Sequence, residues 1–120
     1  MKRQVAAKKG AQALVLLPGT LLPKERRRVV KLALAQRWPA VAGSRTFAED
    51  GALLTYGADS QALYRRAAYY VDRILKGAKP GDLPIEQPTK FELVINLKTA
   101  MTLGLTIPQS VLLRADRVIE

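Results

Sequence analysis

Acid–base chemistry in this chain would depend on aspartate, glutamate, lysine and tyrosine, because its 120 residues include no cysteine and no histidine. Their absence excludes Cys/His zinc sites, thiol nucleophiles, iron–sulfur or haem ligation through cysteine, and Ser-His or Cys-His triads. The remaining carboxylates, amines and phenols form no pair at a spacing typical of a catalytic site. The sequence therefore predicts no catalytic residue, no metal site and no cofactor, and an enzyme is the least favoured class.

The basic residues are the other group that could do chemistry, and they are unevenly distributed. Residues 1–37 hold ten Lys/Arg and one acid, whereas residues 38–120 carry a net charge of only +1. One hypothesis is a small nucleic-acid-binding module in 1–37, since cations that neutralise phosphates release counterions. We favour the solvated face of an amphipathic helix. Apolar residues in "VVKLALA" recur at helical spacing, and no aromatic residue interleaves with the cations.

The elements that would position these residues alternate between strands and helices. Short apolar runs predict four strands, at 11–17, 39–43, 52–57 and 91–96. Four helices are predicted as well: one from about Thr20 to Arg37, one over 59–76 between an Asp59 or Ser60 cap and Gly77, one after the cap Asn96 and one after Pro108. This alternation predicts an α/β protein with a parallel sheet and flanking helices.

Two features refine that prediction. In such sheets ligands gather at the carboxyl ends of the strands, which directs attention to 18–20, 43–46 and 55–57. A proline-rich connector over 78–90 and only four short strands make a thin sheet for an independent domain. The sequence therefore indicates part of a larger protein.

The segments "YGAD", "YVDRILKGAKP", "EQPTKFELVINLKTA" and "LGLTIP" closely resemble the C-terminal portion of ABC-transporter substrate-binding proteins. The subfamily is the one related to tryptophan and aromatic amino-acid uptake. The resemblance extends over nearly all of the chain from about Ala11, but over only the last third or so of a full-length member. It implies a partial type I periplasmic-binding-protein fold, in which two α/β lobes close on a small, amino-acid-like solute.

The same resemblance implies a division of the chain. Residues 1–10 would form a basic tail and residues 11–57 a segment of the C-terminal lobe. The helix within 58–79 would belong to the other lobe. Residues 80–90, with Pro80, Pro84 and Pro88 on an extended path, would be a hinge crossing, and residues 91–120 would return to the C-terminal lobe.

Site residues are carried over by position. Ligand contacts are expected at the strand ends, from Gly19, Thr20, Ser44, Arg45 and Tyr56. Hinge positions are expected at Gly57, Pro84 and Pro88. Each could instead be structural: Thr20 as a helix cap, Arg45 as a solvated rim residue, Tyr56 as hinge packing. Members of the family usually have Asp where this chain has Gly19, which argues against recognition of an amino group by an acid there.

Partners and location also follow from the resemblance. It implies a small-molecule solute, an ABC permease as partner and a periplasmic or extracytoplasmic location. The short run "ALVLL", followed by "PG", does not make a signal peptide, so the chain as written would be cytoplasmic. With most of one lobe missing, the cleft should bind weakly, and helix 59–76 should be exposed and self-associate.

Overall fold

A computed structural model describes residues 10–120, so the predicted basic tail lies, except for Gly10, outside the described residues. The strands form one sheet in the order β1-β2-β3-β4-β5. They are β1 Leu14–Leu16, β2 Ala40–Ala42, β3 Leu54–Ala58, β4 Phe91–Asn96 and β5 Arg117–Ile119. The helices are α1 Leu22–Ala35, α2 Arg45–Glu49, α3 Ser60–Leu75, α4 Leu97–Leu103 and α5 Gln109–Leu112, with a 3-10 turn at Pro80–Asp82.

The predicted α/β class is confirmed, with two differences in the sheet. A fifth strand, β5, pairs parallel to β4 and was not predicted. The sheet is also mixed. β1, β2 and β3 are parallel neighbours, but Asn96 N–H donates to the Leu53 carbonyl at 2.9 Å and Asp59 N–H donates to the Lys90 carbonyl at 3.0 Å. These bonds make β4 antiparallel to β3. The chain comes back beside the C-terminal end of β3, where β4 begins, so β4 runs in the opposite direction.

The described residues form two compact units. The first consists of 10–57 and 92–120, and the second is the segment 58–91. The first unit carries most of the sheet together with α1, α2, α4 and α5, and the second carries α3 and the proline-rich return segment.

The core of the first unit lies where α1 covers β1 and β2. Val30 and Ala33 of α1 are buried against Leu16 and Ala42, and Val29 and Leu34 pack partly against the same cluster, as the helical spacing predicted. Leu21 occupies the N-cap position of α1 without a side-chain cap bond, so Thr20 does not cap this helix. Pro23 lies in the first turn, where its missing N–H has no helical partner to lose.

Helix α3 of the second unit has the ends that its sequence predicted. The Asp59 carboxylate accepts from the N–H groups of Gln61 and Ala62 at 2.9 and 3.1 Å. These backbone bonds, together with Lys90 at 3.2 Å, hold the pKa of Asp59 below its usual value despite some desolvation. After α3, Gly77 has a φ of 102°, a left-handed conformation that favours glycine.

The return segment is fixed to α3 by side chains. Arg66 binds both carboxylate oxygens of Glu86, with Nε 2.7 Å from Oε2. This pairing lowers the pKa of Glu86 and raises that of Arg66. The Tyr70 hydroxyl donates to the Pro84 carbonyl at 2.7 Å, and its pKa is raised mainly by partial burial and then by Glu86. Pro80 begins a 3-10 turn instead of the predicted extended path.

Within residues 10–120, no helix combines the length and apolar character needed to cross a membrane.

The sheet contains a buried hydroxyl whose removal should make the protein more stable. Thr55 of β3 is 1% exposed, and its Oγ1 has no hydrogen-bond partner among the described residues. A desolvated hydroxyl without a partner is destabilising, so Thr55→Val should raise the free energy of unfolding by about 1 kcal/mol. The control is Thr99→Val, because Thr99 Oγ1 donates to the Gly51 carbonyl at 2.9 Å. Urea unfolding should show the control to be destabilised by about 1 kcal/mol, and equal effects would contradict the expectation.

Candidate functional site

A small cavity lies at the carboxyl ends of β1 and β2, where parallel strands present their following loops. Its volume is about 220 Å³, and it brings together two of the predicted contact residues, Gly19 and Ser44. The other lining residues are Leu16, Leu17, Pro18, Leu22, Pro23, Gly43 and Phe47. Among these described lining residues none is charged, so the wall offers apolar surface, backbone amides and one hydroxyl. Ser44 Oγ lies 3.1 Å from Thr46 Oγ1, within hydrogen-bond distance.

The loop after β2 is held against β3 by a close approach of two glycines. A Cβ added to Gly57 would lie 1.9 Å from the Gly43 carbonyl oxygen and 2.8 Å from its carbonyl carbon. Gly57 is therefore required by space, because it is not among the glycines with positive φ. Glycine within a strand is one sequence signal for such an approach.

Arg45 begins α2 directly after the cavity-lining residue Ser44, and its guanidinium is directed to carboxylates of this chain. Its Nε lies 3.4 Å from Glu49 Oε1, and its Nη1 lies 3.6 Å from Glu92 Oε1. Glu49 also accepts from Arg117 Nη1 at 3.3 Å. Arg45 is thus placed in a network of four charges that joins α2, β4 and β5.

The other predicted contact residues do not line this cavity. Thr20 is exposed just before α1. Tyr56 is 61% exposed in β3, next to Gly57. The structure thus groups Gly19 with Ser44 and places Thr20, Arg45 and Tyr56 outside the cavity lining. The sequence did not identify Phe47 and Leu22 as cavity-lining residues, because apolar side chains are equally expected in the hydrophobic core.

The predicted hinge prolines, Pro84 and Pro88, line a larger groove of about 620 Å³ in the second unit, between α3 and the return segment. Its charged residues are already paired with one another: Lys90 with Asp59, and Arg66 with Glu86. We favour the smaller cavity as the candidate site because it lies at strand ends and its described lining contains no charged residue that would have to be separated from its ion-pair partner. Within residues 10–120, Asp and Glu do not gather in a group of three or more that could hold a metal ion.

The basic residues of α1 are partly neutralised by the chain itself. Arg27 Nε donates to Asp50 Oδ1 at 3.2 Å, and Arg26 Nε lies 2.5 Å from Asp50 Oδ2 without hydrogen-bonding geometry. Arg28 lies 3.8 Å from Glu25. These pairs reduce the charge available to phosphates on this helix, and the cations before Gly10 lie outside the described residues.

Comparison with known proteins agrees with this arrangement of strands and helices. A conserved domain protein of Vibrio cholerae is 29% identical with a TM-score of 0.88, over 97% of this chain and 39% of its own. An ABC domain of Streptococcus pneumoniae, solved in complex with L-Trp, is also 29% identical, with a TM-score of 0.88. The match covers 98% of this chain and 39% of that domain's chain. A substrate binding protein with adhesive properties from Clostridium difficile, solved in a ligand-free, open form, shares the fold at 19% identity and a TM-score of 0.67. The match covers 99% of this chain and 40% of that chain.

The chain therefore spans about two fifths of the length of these solved proteins. No curated protein sequence matches it. A family model described as ABC transporter substrate binding protein matches residues 2–119, which is nearly the whole chain. The protein thus belongs to the ABC transporter substrate binding protein family.

Proposed function

We propose that this chain supplies one wall of a solute-binding cleft in the binding component of an ABC-type importer, and that its solute is a small amino-acid-like molecule. The observation that carries the proposal is the cavity at the ends of β1 and β2 in a chain that matches the family over 2–119. A solved relative at 29% identity is described in complex with L-Trp. Apolar lining with a few backbone donors suits the uncharged part of such a solute.

The proposal assigns different roles to the two units. The first unit would be the C-terminal lobe, and α3 with the return segment would belong to the opposite lobe, with hinge positions at Gly57, Pro84 and Pro88. A permease would receive the solute, outside the cytoplasm. The chain spans about two fifths of the length of these relatives, and by itself it offers one wall of the proposed cleft. Affinity of this chain alone should therefore be weak, and no chemical step is required of it.

Titration of the ¹⁵N-labelled chain with millimolar L-tryptophan tests the proposal. Amide shifts should saturate at Gly19, Gly43 and Ser44, because these residues line the cavity. Gly19→Val should weaken binding by about 10-fold or more, since it fills space that a solute would occupy. A Cβ at Gly19 meets no atom within 4 Å, so the variant should fold.

Gly81→Val is the matched control, because Gly81 also has open space around it but lies in the second unit. It should bind as the unmodified chain does. L-Glutamate, with a charged side chain, should shift the cavity amides less than L-tryptophan. Shifts that do not saturate, or that persist unchanged in Gly19→Val, would contradict the proposed site.

A further inference from the structure

The loop of residues 43–45, whose last residue Arg45 begins α2, has contacts at both points where the chain passes between its two units. The chain leaves the first unit after Gly57 and re-enters it at Glu92. Gly57 lies against the backbone of Gly43, so closely that an added Cβ would be 1.9 Å from the Gly43 oxygen. Glu92 lies 3.6 Å from Arg45 Nη1. This loop therefore contacts Gly57, where the chain leaves the first unit, and Glu92, where the chain returns to it.

The same loop lines the candidate cavity through Gly43 and Ser44. The two passing segments are also bonded to each other, since Asp59 N–H donates to the Lys90 carbonyl at 3.0 Å. If a solute displaced this loop, the backbone at both passages, near Gly57 and near Glu92, would therefore move as well. The contact of Gly43 with Gly57 is between two backbones and has no side-chain freedom to absorb such a displacement. The second link is the ion pair of Arg45 with Glu92.

We propose that loop 43–45 couples solute contact to the two passages, and that Arg45 is a positioning residue which holds the loop to Glu92, with no contact to the solute. The proposal rests on the proposed function for its solute. The ion pairs of Arg45 are partly exposed, and each is weak alone. Arg45, Glu49, Glu92 and Arg117 form a network, however, so the start of α2 at Arg45 is tied to β4 and β5 together.

The test compares the ¹⁵N-labelled chain with Arg45→Met, which keeps the length and apolar stem of the side chain. In the unmodified chain, L-tryptophan should shift the amides of Ala58 and Asp59 as well as those of Gly19 and Ser44. In Arg45→Met, the shifts at Gly19 and Ser44 should remain and those at Ala58 and Asp59 should fall by at least half. If Arg45 only stabilised the fold, its replacement would change the shifts of both sets of amides alike. Persisting shifts at Ala58 and Asp59 would overturn the proposal.

Arg114→Met is the control, because Arg114 forms no ion pair among the described residues; it should behave like the unmodified chain. A solute-free measurement separates this proposal from the proposed function. Without solute, Arg45→Met should speed hydrogen exchange of the Asp59 amide several-fold relative to that control. If L-tryptophan does not bind the unmodified chain, the proposed site fails, and the exchange rate of Asp59 decides this inference alone. An unchanged rate would overturn it.

Discussion

Replacing Gly57 by alanine is expected to destabilise the first unit by about 2–4 kcal/mol, at or above the upper end of the usual cost of overpacking, because the clash is with backbone. The added Cβ would lie 1.9 Å from the carbonyl oxygen of Gly43 and 3.3 Å from its Cα. Both sides of this contact are backbone, so no rotamer change can relieve it. The end of β2 would have to separate from β3, which would also displace the loop that lines the candidate cavity.

Gly43→Ala is the matched control, because it adds the same methyl group to the other side of the same contact. The nearest atom to a Cβ on Gly43 is the Tyr56 carbonyl oxygen at 3.9 Å, an ordinary van der Waals distance. Gly43→Ala should therefore stay within about 0.5 kcal/mol of the unmodified chain. Urea unfolding at a low protein concentration measures both variants. Equal stability of the two variants would contradict a clash between a Cβ at Gly57 and the Gly43 carbonyl.

The side-chain caps of α3 and α4 were predictable from the sequence because their determinants are local, whereas the start of α1, which has no side-chain cap, was not. The Asp59 and Asn96 side chains accept from N–H groups two or three residues further on, and such caps can be read from a few consecutive residues. β5 could not be read in this way. It has three residues, begins with Arg117 and owes its conformation to pairing with β4, with Ile95 opposite Val118.

The direction of β4 and the contacts of the site depend on how distant segments meet. The run "FELVIN" indicates a buried strand in either direction, and only the return of the chain beside Asp59 makes it antiparallel to β3. The pair of Arg45 with Glu49 follows helical i, i+4 spacing and could have been expected. Its pair with Glu92, 47 positions away in sequence, depends on how α2 packs beside β4. The approach of Gly57 to Gly43 depends on the pairing of β2 with β3.

Self-association of the chain through α3 is the second large effect that we expect. α3 has 16 residues, and none of them is buried. Leu63, Ala67 and Tyr70 face the groove that the return segment borders, whereas Tyr64, Val71 and Leu75 follow helical spacing on a different flank. Leu75 is 82% exposed and Val71 54% exposed. A continuous apolar flank of this kind gains free energy when a second copy covers it.

Replacing Val71 and Leu75 together by lysine should weaken association by about 100-fold or more, since burial of each such side chain contributes about 1.5–3 kcal/mol. The control replaces Val15 and Leu113 by lysine. These are the same residue types at 65% and 77% exposure, outside α3. Sedimentation velocity over a range of concentrations should show a monomer for the α3 variant and association for the control. The control also tests β1, an edge strand that could pair with another chain. Loss of association in the control alone would contradict the role of α3.

Salt dependence distinguishes this association from binding to phosphates. The chain carries a net charge of +10, so two copies repel each other at low ionic strength. Screening of that repulsion should make association through an apolar flank stronger as salt is raised. Binding of a random DNA duplex through residues 1–37 would instead weaken steeply, because counterions are released when phosphates are neutralised. A chain that stays monomeric at all salt concentrations and binds duplex with a steep salt slope would therefore contradict exposure of α3 as an association surface and favour the nucleic-acid alternative.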